Sequence, residues 1–295
     1  ITAPANGHTY EIYQIFTGDY DASNTSMLSN IKWGANGKGG TTGEAVDKTV
    51  LDALSGVASA ASDSAKLAVI ENYVDLSTTP VGTVTNGGSV EVDSGYYLIK
   101  DKNGSVPSSG TYTPYIVSVV GNNITINPKN NDVPEFNKKL KDTNDSTGIT
   151  TGWQDSADYD IGDYIPFRLQ GTIPADYASY STYYYAFHDV EEAGLTFDSS
   201  SVKVYAGDEV TGTEIAVGKY SVVTNQSKLN ENAVLGEQGN VNKAKLQYSN
   251  NPHDNGRGET PWDNVIVFTY KVVVNKVDQS NVPLEGAEFT LTKKI

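Results

Sequence analysis

The chain has 295 residues, enough for two domains that each bury a core, with part of a third. Its formal net charge of −15 argues against nucleic acid or an anionic membrane surface as a partner. The absence of cysteine excludes disulfides and thiolate metal sites, while 28 glycines and 19 tyrosines favour strands and turns over helices.

Residues 1–131 are predicted to form one β domain that carries a helical insertion. Its first strand, at 10–16, is rich in β-branched and aromatic residues. Apolar residues then recur at helical spacing between 46 and 74, which predicts short amphipathic helices lying on a sheet. Further strands are predicted at 89–92, 95–100 and 112–120.

A single lysine follows the end of this domain. The strand-like alternation over 123–127 stops at Pro128, Lys129 comes next, and a polar run at 130–132 is typical of a turn. The amine of Lys129 is therefore predicted to be accessible to solvent. By itself this pattern is that of an ordinary loop lysine.

Residues 132–273 are predicted to form a second domain built almost entirely of strands, and 274–295 to open a third domain whose remainder lies outside the chain. Short strands separated by Gly, Asn and Asp turns favour Ig-like β-sandwiches in tandem. The strands of the second domain are predicted at 164–171, 183–187, 202–205, 220–224, 245–248 and 265–274.

No cofactor or metal site is predicted. The acidic run at 155–163 lacks the spacing and the distal glutamate of an EF-hand, so we expect a turn that leads into the strand at 164. The three histidines are isolated from one another in sequence, and no phosphate-binding glycine loop is present.

Segments spread over the whole chain resemble the backbone pilins of sortase-assembled pili of Gram-positive bacteria. Those at the start are similar to the N-terminal pilin domain, the middle ones to a CnaA-like domain, and the last to the first hairpin of a CnaB-type domain. They are GHTY (7–10), YQIFTGD (13–19), IKWG (31–34), SGYYLI (94–99), YTP (112–114), ADYDIGD (157–163), GLTF (194–197), YSNNP (248–252) and PLEGAEF (283–289).

The resemblance implies a structural shaft subunit, not an enzyme, on a cell-wall-anchored extracellular pilus. Lys129 would be the pilin-motif lysine, which a pilin-specific sortase joins to the next copy of the same subunit. Asn127 stands where that motif commonly has tyrosine, and neither an E-box nor an LPXTG sorting signal is found. Minor pilins and host surface ligands are further implied partners, and nucleic acid is not.

The resemblance also implies an internal Lys–Asn isopeptide bond, which requires an amine, a carboxamide and a carboxylic acid buried together. Burial lowers the pKa of the amine and raises that of the acid. The neutral amine then attacks the amide carbon, the acid stabilises the oxyanion, and ammonia leaves. Each molecule performs this reaction once.

Strand alternation supplies one residue of each kind in the second domain. It groups Lys138 with the apolar residues at 136 and 140, Asp189 with those at 185 and 187, and Asn250 with those at 246 and 248. These are the positions that the family pattern selects, with Asp189 as the assisting acid. Lys276 resembles the bonding lysine of the third domain, where we expect a free amine.

The sequence leaves alternatives open. Lys138 can be a surface lysine, Asp189 a turn residue and Asn250 part of an Asn-Asn-Pro turn. A one-residue bulge would switch the parity and make Lys139 or Asn251 the bonding partner. The main functional alternative is a monomeric, wall-anchored adhesin of the same Ig-like domains that binds a host matrix protein or glycan.

Overall fold

The structure is a computed structural model that describes residues 1–21, 23, 28–58, 63–128, 133–207, 213–214 and 222–292. The chain divides into two compact units, and each contains more than one segment. The first comprises Ile1–Val133, Pro174–Tyr183 and Ser249–Gly258, and the second comprises Pro134–Ile173, Tyr184–Tyr248 and Glu259–Ile295. The predicted boundaries at 131 and 273 remain predictions.

The first unit is built on one sheet with a helical insertion between its second and third strands. Its elements are β1 (Thr9–Tyr20), β2 (Leu28–Trp33), α1 (Lys48–Ala58), α2 (Asp63–Ile70), a 3₁₀ turn (Glu71–Tyr73), β3 (Gly82–Thr85), β4 (Gly95–Asp101), β5 (Ile116–Val120) and a 3₁₀ turn (Ala175–Ser179).

The second unit is a pair of sheets. Its elements are β6 (Phe136–Leu140), β7 (Ser156–Asp158), β8 (Tyr164–Gly171), β9 (Tyr185–Glu191), β10 (Leu195–Ala206), β11 (Thr213–Glu214), β12 (Val222–Leu229), β13 (Asn240–Ser249) and β15 (Asp263–Phe268), while β14 (Arg257–Glu259) crosses the boundary between the units. The prediction of a mainly β, multi-sheet fold is confirmed.

Strand β1 is the centre of the first unit because both of its faces are buried. One edge pairs with β4 along most of its length, and the other pairs first with β3 and then with β2. Tyr10 and Ile12 face one apolar cluster, whereas Tyr13 and Ile15 face a second cluster, against which side chains of α1 and α2 pack. The helical insertion thus covers a sheet face that would otherwise be exposed.

Asn36 is a buried polar link in the first unit, with 1% of its surface exposed. Its Oδ1 accepts a hydrogen bond from the backbone N–H of Gln14 at 2.8 Å. Its Nδ2 donates to Thr78 Oγ1 at 2.9 Å and to the carbonyl of Thr79 at 2.8 Å. The side chain therefore ties the chain after β2 both to β1 and to the segment before β3.

Replacing Asn36 with alanine is expected to lower the free energy of unfolding by about 3 kcal/mol, because buried backbone groups lose their partners. Urea unfolding of the variant measures this. The exposed Asn72, replaced in the same way, is the control and should change stability by less than about 0.5 kcal/mol. Equal effects of the two substitutions would contradict this role of Asn36.

The structure corrects several of the strand predictions. The strand predicted at 112–120 begins only at Ile116, because Asp101 Oδ2 accepts the Thr113 N–H at 2.6 Å and Pro114 has no N–H to donate. Residues 89–92 form no strand, although Ser89 makes an isolated bridge to Thr2. The strand predicted to end at 274 ends at Phe268, and Val272 beyond it is exposed.

His253 lies in the first unit against a tyrosine. Its ring stacks on Tyr115 with centroids 3.5 Å apart, and its Nε2 accepts the Tyr115 backbone N–H at 3.1 Å. Loss of solvent, and secondarily the charge of Lys100, lowers the pKa of His253 from 6.5 to about 4. The folded state therefore favours the neutral form of the His253 ring.

Acidification is expected to destabilise the protein through His253. Below pH 6.5 the unfolded chain binds a proton at this residue while the folded chain does not until about pH 4. Stability is lost as the pH falls through that window. The melting temperature of His253→Gln, compared with that of the parent at pH 7.5 and pH 5, should depend less on pH, and an unchanged dependence would contradict the assignment.

The second unit buries its core between two sheets. One has the order β11-β10-β12-β8-β6, and in the other β13 lies between β9 and β15, with β7 parallel to β15. Polar side chains also lie on the buried faces of these strands, and these side chains form the candidate functional site. The apolar core is formed by Leu140, Ala157, Tyr159, Ile165, Phe167, Leu195, Leu229, Val265 and Val267.

In the described part of the chain, no helix has the length and apolarity required to span a membrane.

Candidate functional site

Lys138 is a fully buried lysine in the second unit. It lies on β6 with 0% of its surface exposed, and the buried Leu140 follows it on the same face. Its Nζ lies 5.0 Å from the centroid of the Phe167 ring, and its backbone N–H donates to Asp263 Oδ2 at 2.7 Å. The alternation that placed Lys138 on the core face is thus confirmed by its burial.

The amine of Lys138 contacts one carboxylate directly. Its Nζ lies 2.6 Å from Asp189 Oδ1, and the Asp189 side chain, at the middle of β9, is 21% exposed. Burial lowers the pKa of Lys138, although Asp189, and then Glu191 and Asp263, oppose that shift. The site therefore favours a neutral amine more than water does, which is what a nucleophilic lysine requires.

A second carboxylic acid, Glu191, lies two residues farther along β9. Burial raises its pKa, against the opposing effects of Ser227 and Lys138. Its Oε1 accepts hydrogen bonds from the buried hydroxyl of Ser227 and, at 3.2 Å, from Asn242 Nδ2. Glu191 is thus half-buried, held by two donors, and shifted toward its neutral form.

Two asparagines stand beside these acids. Asn242 is 0% exposed and Asn225 is 4% exposed, and Asn225 Nδ2 lies 3.4 Å from Asp189 Oδ2. The Oδ1 atom of each is buried and has no hydrogen-bond partner among the described residues. By contrast, Asn240 on the same face of β13 bonds backbone groups through both amide atoms. An unpaired buried carbonyl oxygen is costly, which marks Asn225 and Asn242 as unusual.

Sequence reasoning did not identify Glu191, Asn225 or Asn242, although alternation gives a signal for two of them. Glu191 shares a face of β9 with Asp189, and Asn242 shares a face of β13 with Leu246 and Tyr248. If the predicted strands at 183–187 and 245–248 had been extended by two to four residues, alternation would have placed Glu191 and Asn242 on the same faces as the predicted site residues.

Asn250, the predicted carboxamide, belongs to the first unit. It is 4% exposed, its Nδ2 donates to the Gly110 carbonyl at 3.3 Å, and its own carbonyl accepts the Tyr112 N–H at 2.6 Å. Its Oδ1 is also buried without a partner among the described residues. The bond from Lys138 to Asn250 remains a prediction.

The alternative partners have other contacts. Lys139 forms an ion pair with Asp155, and Asn251 Oδ1 accepts the His253 N–H at 3.0 Å. Lys276 is exposed, and Leu284 N–H donates to its carbonyl at 3.0 Å. Lys129 lies outside the described residues. Within those residues, no cluster of three or more His, Asp or Glu side chains is arranged to hold a metal ion.

Two β units, one with a helical insertion and one a sandwich, give the chain the fold of Gram-positive backbone pilins. The T6 backbone pilin of serotype M6 Streptococcus pyogenes superposes on it with a TM-score of 0.56 and 19% identity, over 96% of this chain and 67% of that chain. The major pilin subunit BcpA of Bacillus cereus gives a TM-score of 0.42 at 13% identity over 91% of this chain and 67% of that chain, too low to define a shared fold by itself.

Sequence similarity to a curated protein is local. The chain is 40% identical over 81 residues to the "Trypsin-resistant surface T6 protein" of Streptococcus pyogenes serotype M6, strain ATCC BAA-946 / MGAS10394. That match involves 23% of this chain and spans only 15% of the relative's length. No protein-family profile matches the chain.

Proposed function

We propose that the chain is the shaft subunit of a covalently polymerised pilus that is displayed outside the cell and anchored to the cell wall. The observation that carries the proposal is the buried Lys138 amine held 2.6 Å from Asp189 inside a pilin-like sandwich. A lysine is seldom buried so completely unless it is paired or used chemically.

The first chemical element of this proposal is an internal isopeptide bond. Lys138 supplies the nucleophile, and Asp189, whose Oδ1 lies 2.6 Å from the Lys138 amine, is the assisting acid. The sequence predicts Asn250 as the carboxamide. Such a bond closes a loop of about a hundred residues and, by analogy with disulfides of that span, contributes about 4–5 kcal/mol of stability. This would protect a chain that contains no cysteine.

The second element is the bond between subunits. Lys129 attacks the acyl group that a pilin-specific sortase carries from the next copy of the subunit, and a head-to-tail polymer results. The local identity to a surface protein described as trypsin-resistant supports an extracellular setting. Minor pilins and host ligands would be additional partners, and the chain itself would not be an enzyme.

The test is expression in a Gram-positive host that supplies a pilin sortase, with the chain carrying the export and sorting signals of a pilin native to that host. Boiled cell-wall extracts should show a ladder of high-mass species on denaturing gels. A single band at the monomer mass would favour the alternative, a wall-anchored adhesin that does not polymerise.

A further inference from the structure

The second unit holds two acid–amide pairs, and the two acids have different partners. Asp189 contacts both the Lys138 amine and Asn225 Nδ2. Glu191 contacts Asn242 Nδ2 and the Ser227 hydroxyl, both of which can donate to it. The reaction needs one carboxylate to remove a proton and one carboxylic acid to donate a proton. The two pairs are therefore not equivalent.

We propose that Asn242 is the acyl acceptor of the bond to Lys138, that Glu191 is the acid that protonates the amide oxygen, and that Asp189 removes the lysine proton. This assignment rests on the proposed function, since it presupposes that Lys138 forms an isopeptide bond. It replaces Asn250 as the acceptor, and it gives Glu191, on the same strand as Asp189, the role of assisting acid that the sequence predicts for Asp189.

The positions of the two acids favour this assignment. Asp189 and Glu191 are two residues apart on β9, so they share a face and their Cα atoms lie about 7 Å apart. The register of β13 sets Asn242 directly opposite Glu191, and Ala244 opposite Asp189. The Asn242 amide is therefore two register positions along the strand pair from Asp189, on the same face. A lysine side chain whose amine lies at Asp189 is long enough to reach it.

The contacts of Asp189 disfavour the other acid–amide pair. Asp189 Oδ1 lies 2.6 Å from the Lys138 amine, where it is placed to take the lysine proton, and its Oδ2 faces Nδ2 of Asn225, not the amide oxygen. Glu191 is farther from the amine, and its burial raises its pKa. It can therefore act as a neutral donor, which an oxyanion requires.

The surroundings of the Asn242 amide favour it as the acceptor. Asn242 is completely buried, and its Oδ1 has no partner among the described residues. When Glu191 carries a proton, a half-turn of the amide exchanges Nδ2 for Oδ1 and places the oxygen opposite that proton. The hydrogen bonds described for Asn250 involve backbone groups and no carboxyl group.

The proposed reaction passes protons among the two acids, the amine and the amide. Asp189 takes one proton from the Lys138 ammonium, and the free amine attacks Cγ of Asn242. The new N–C bond forms as the carbonyl electrons move onto oxygen, which takes the proton of Glu191. When the tetrahedral intermediate collapses, the bond from Cγ to Nδ2 breaks and Asp189 protonates the departing nitrogen. The attacking nitrogen returns a proton to Glu191. The hydroxyl proton leaves with the ammonia, which departs as ammonium.

The test compares intact masses of the parent and of Asn242→Asp, which keeps the shape of the side chain but makes water the leaving group. The parent should be lighter than its sequence by one ammonia, and this loss should disappear in Asn242→Asp, where loss of one water replaces it. Digestion of the denatured parent should yield one branched peptide that joins Lys138 to Asn242. Asn225→Ala and Asn250→Ala should still lose ammonia.

Glu191→Gln tests the acid, because glutamine keeps the acceptor for Ser227 and Asn242 but has no carboxyl proton. The rate of ammonia loss after cell-free synthesis should fall by a factor of about 10²–10⁴ while the near-ultraviolet circular dichroism stays that of the parent. An unchanged rate would overturn the role of Glu191.

Other outcomes separate this inference from the proposed function. Retained ammonia loss in Asn242→Asp, or a branched peptide that contains Asn225 or Asn250, would overturn the inference and leave the crosslink intact. A parent with no ammonia loss would overturn the internal crosslink itself.

Discussion

Lys138→Met is expected to lower the free energy of unfolding by about 4–5 kcal/mol, because it removes the crosslink that shortens the unfolded chain. Methionine is unbranched and apolar, so it fills the space over the Phe167 ring and removes a buried amine. Asp189 loses its partner, but its side chain is 21% exposed and can be hydrated. The loss should therefore come chiefly from the missing bond, and chemical denaturation measures it.

Lys139→Met is the matched control, since it changes the neighbouring residue in the same way. The Lys139 side chain is 28% exposed and pairs with Asp155 at the surface, so its replacement should cost less than about 1 kcal/mol. Trypsin digestion gives a second comparison, because the parent and Lys139→Met should resist the protease far longer than Lys138→Met. Equal stability of all three proteins would contradict a crosslink at Lys138.

Lys129→Arg is expected to abolish the polymer ladder and leave only monomer in boiled cell-wall extracts. Arginine keeps the positive charge, but its guanidinium stays protonated and does not act as a nucleophile toward the sortase-bound acyl group. The substitution therefore separates charge from reactivity. Folding and export should be unaffected, which the yield of surface monomer measures.

Lys102→Arg is the control for Lys129→Arg, because it makes the same substitution at an exposed lysine elsewhere in the chain. Its ladder should match that of the parent. A ladder that persists in Lys129→Arg would show that another lysine joins the subunits. A ladder lost in both variants would point to a general effect of arginine on export or processing.

Composition and alternation were sufficient to predict the kind of fold. Many glycines and tyrosines indicated a β protein, and parity on β6 placed Lys138 on a buried face. The same parity on β9 placed Asp189 on the face from which its carboxylate contacts the Lys138 amine. These successes share one cause: inside a strand, side-chain direction follows a strict period of two.

The sequence was less informative where strands end and where contacts are long-range. The start of β5 depends on Asp101 capturing the Thr113 N–H, a contact that no local pattern encodes. Asn225 meets Asp189 across different sheets, so strand parity alone cannot pair them. The orphaned oxygens of Asn225 and Asn242 are likewise visible only in three dimensions.

The measurement that tests the central claim most directly is the intact mass of the purified chain at isotopic resolution. The buried Lys138–Asp189 pair predicts a mass lower than that of the sequence by one ammonia. A mass equal to that of the sequence would contradict the internal crosslink, and the Lys138 amine would then be a buried ion pair and nothing more.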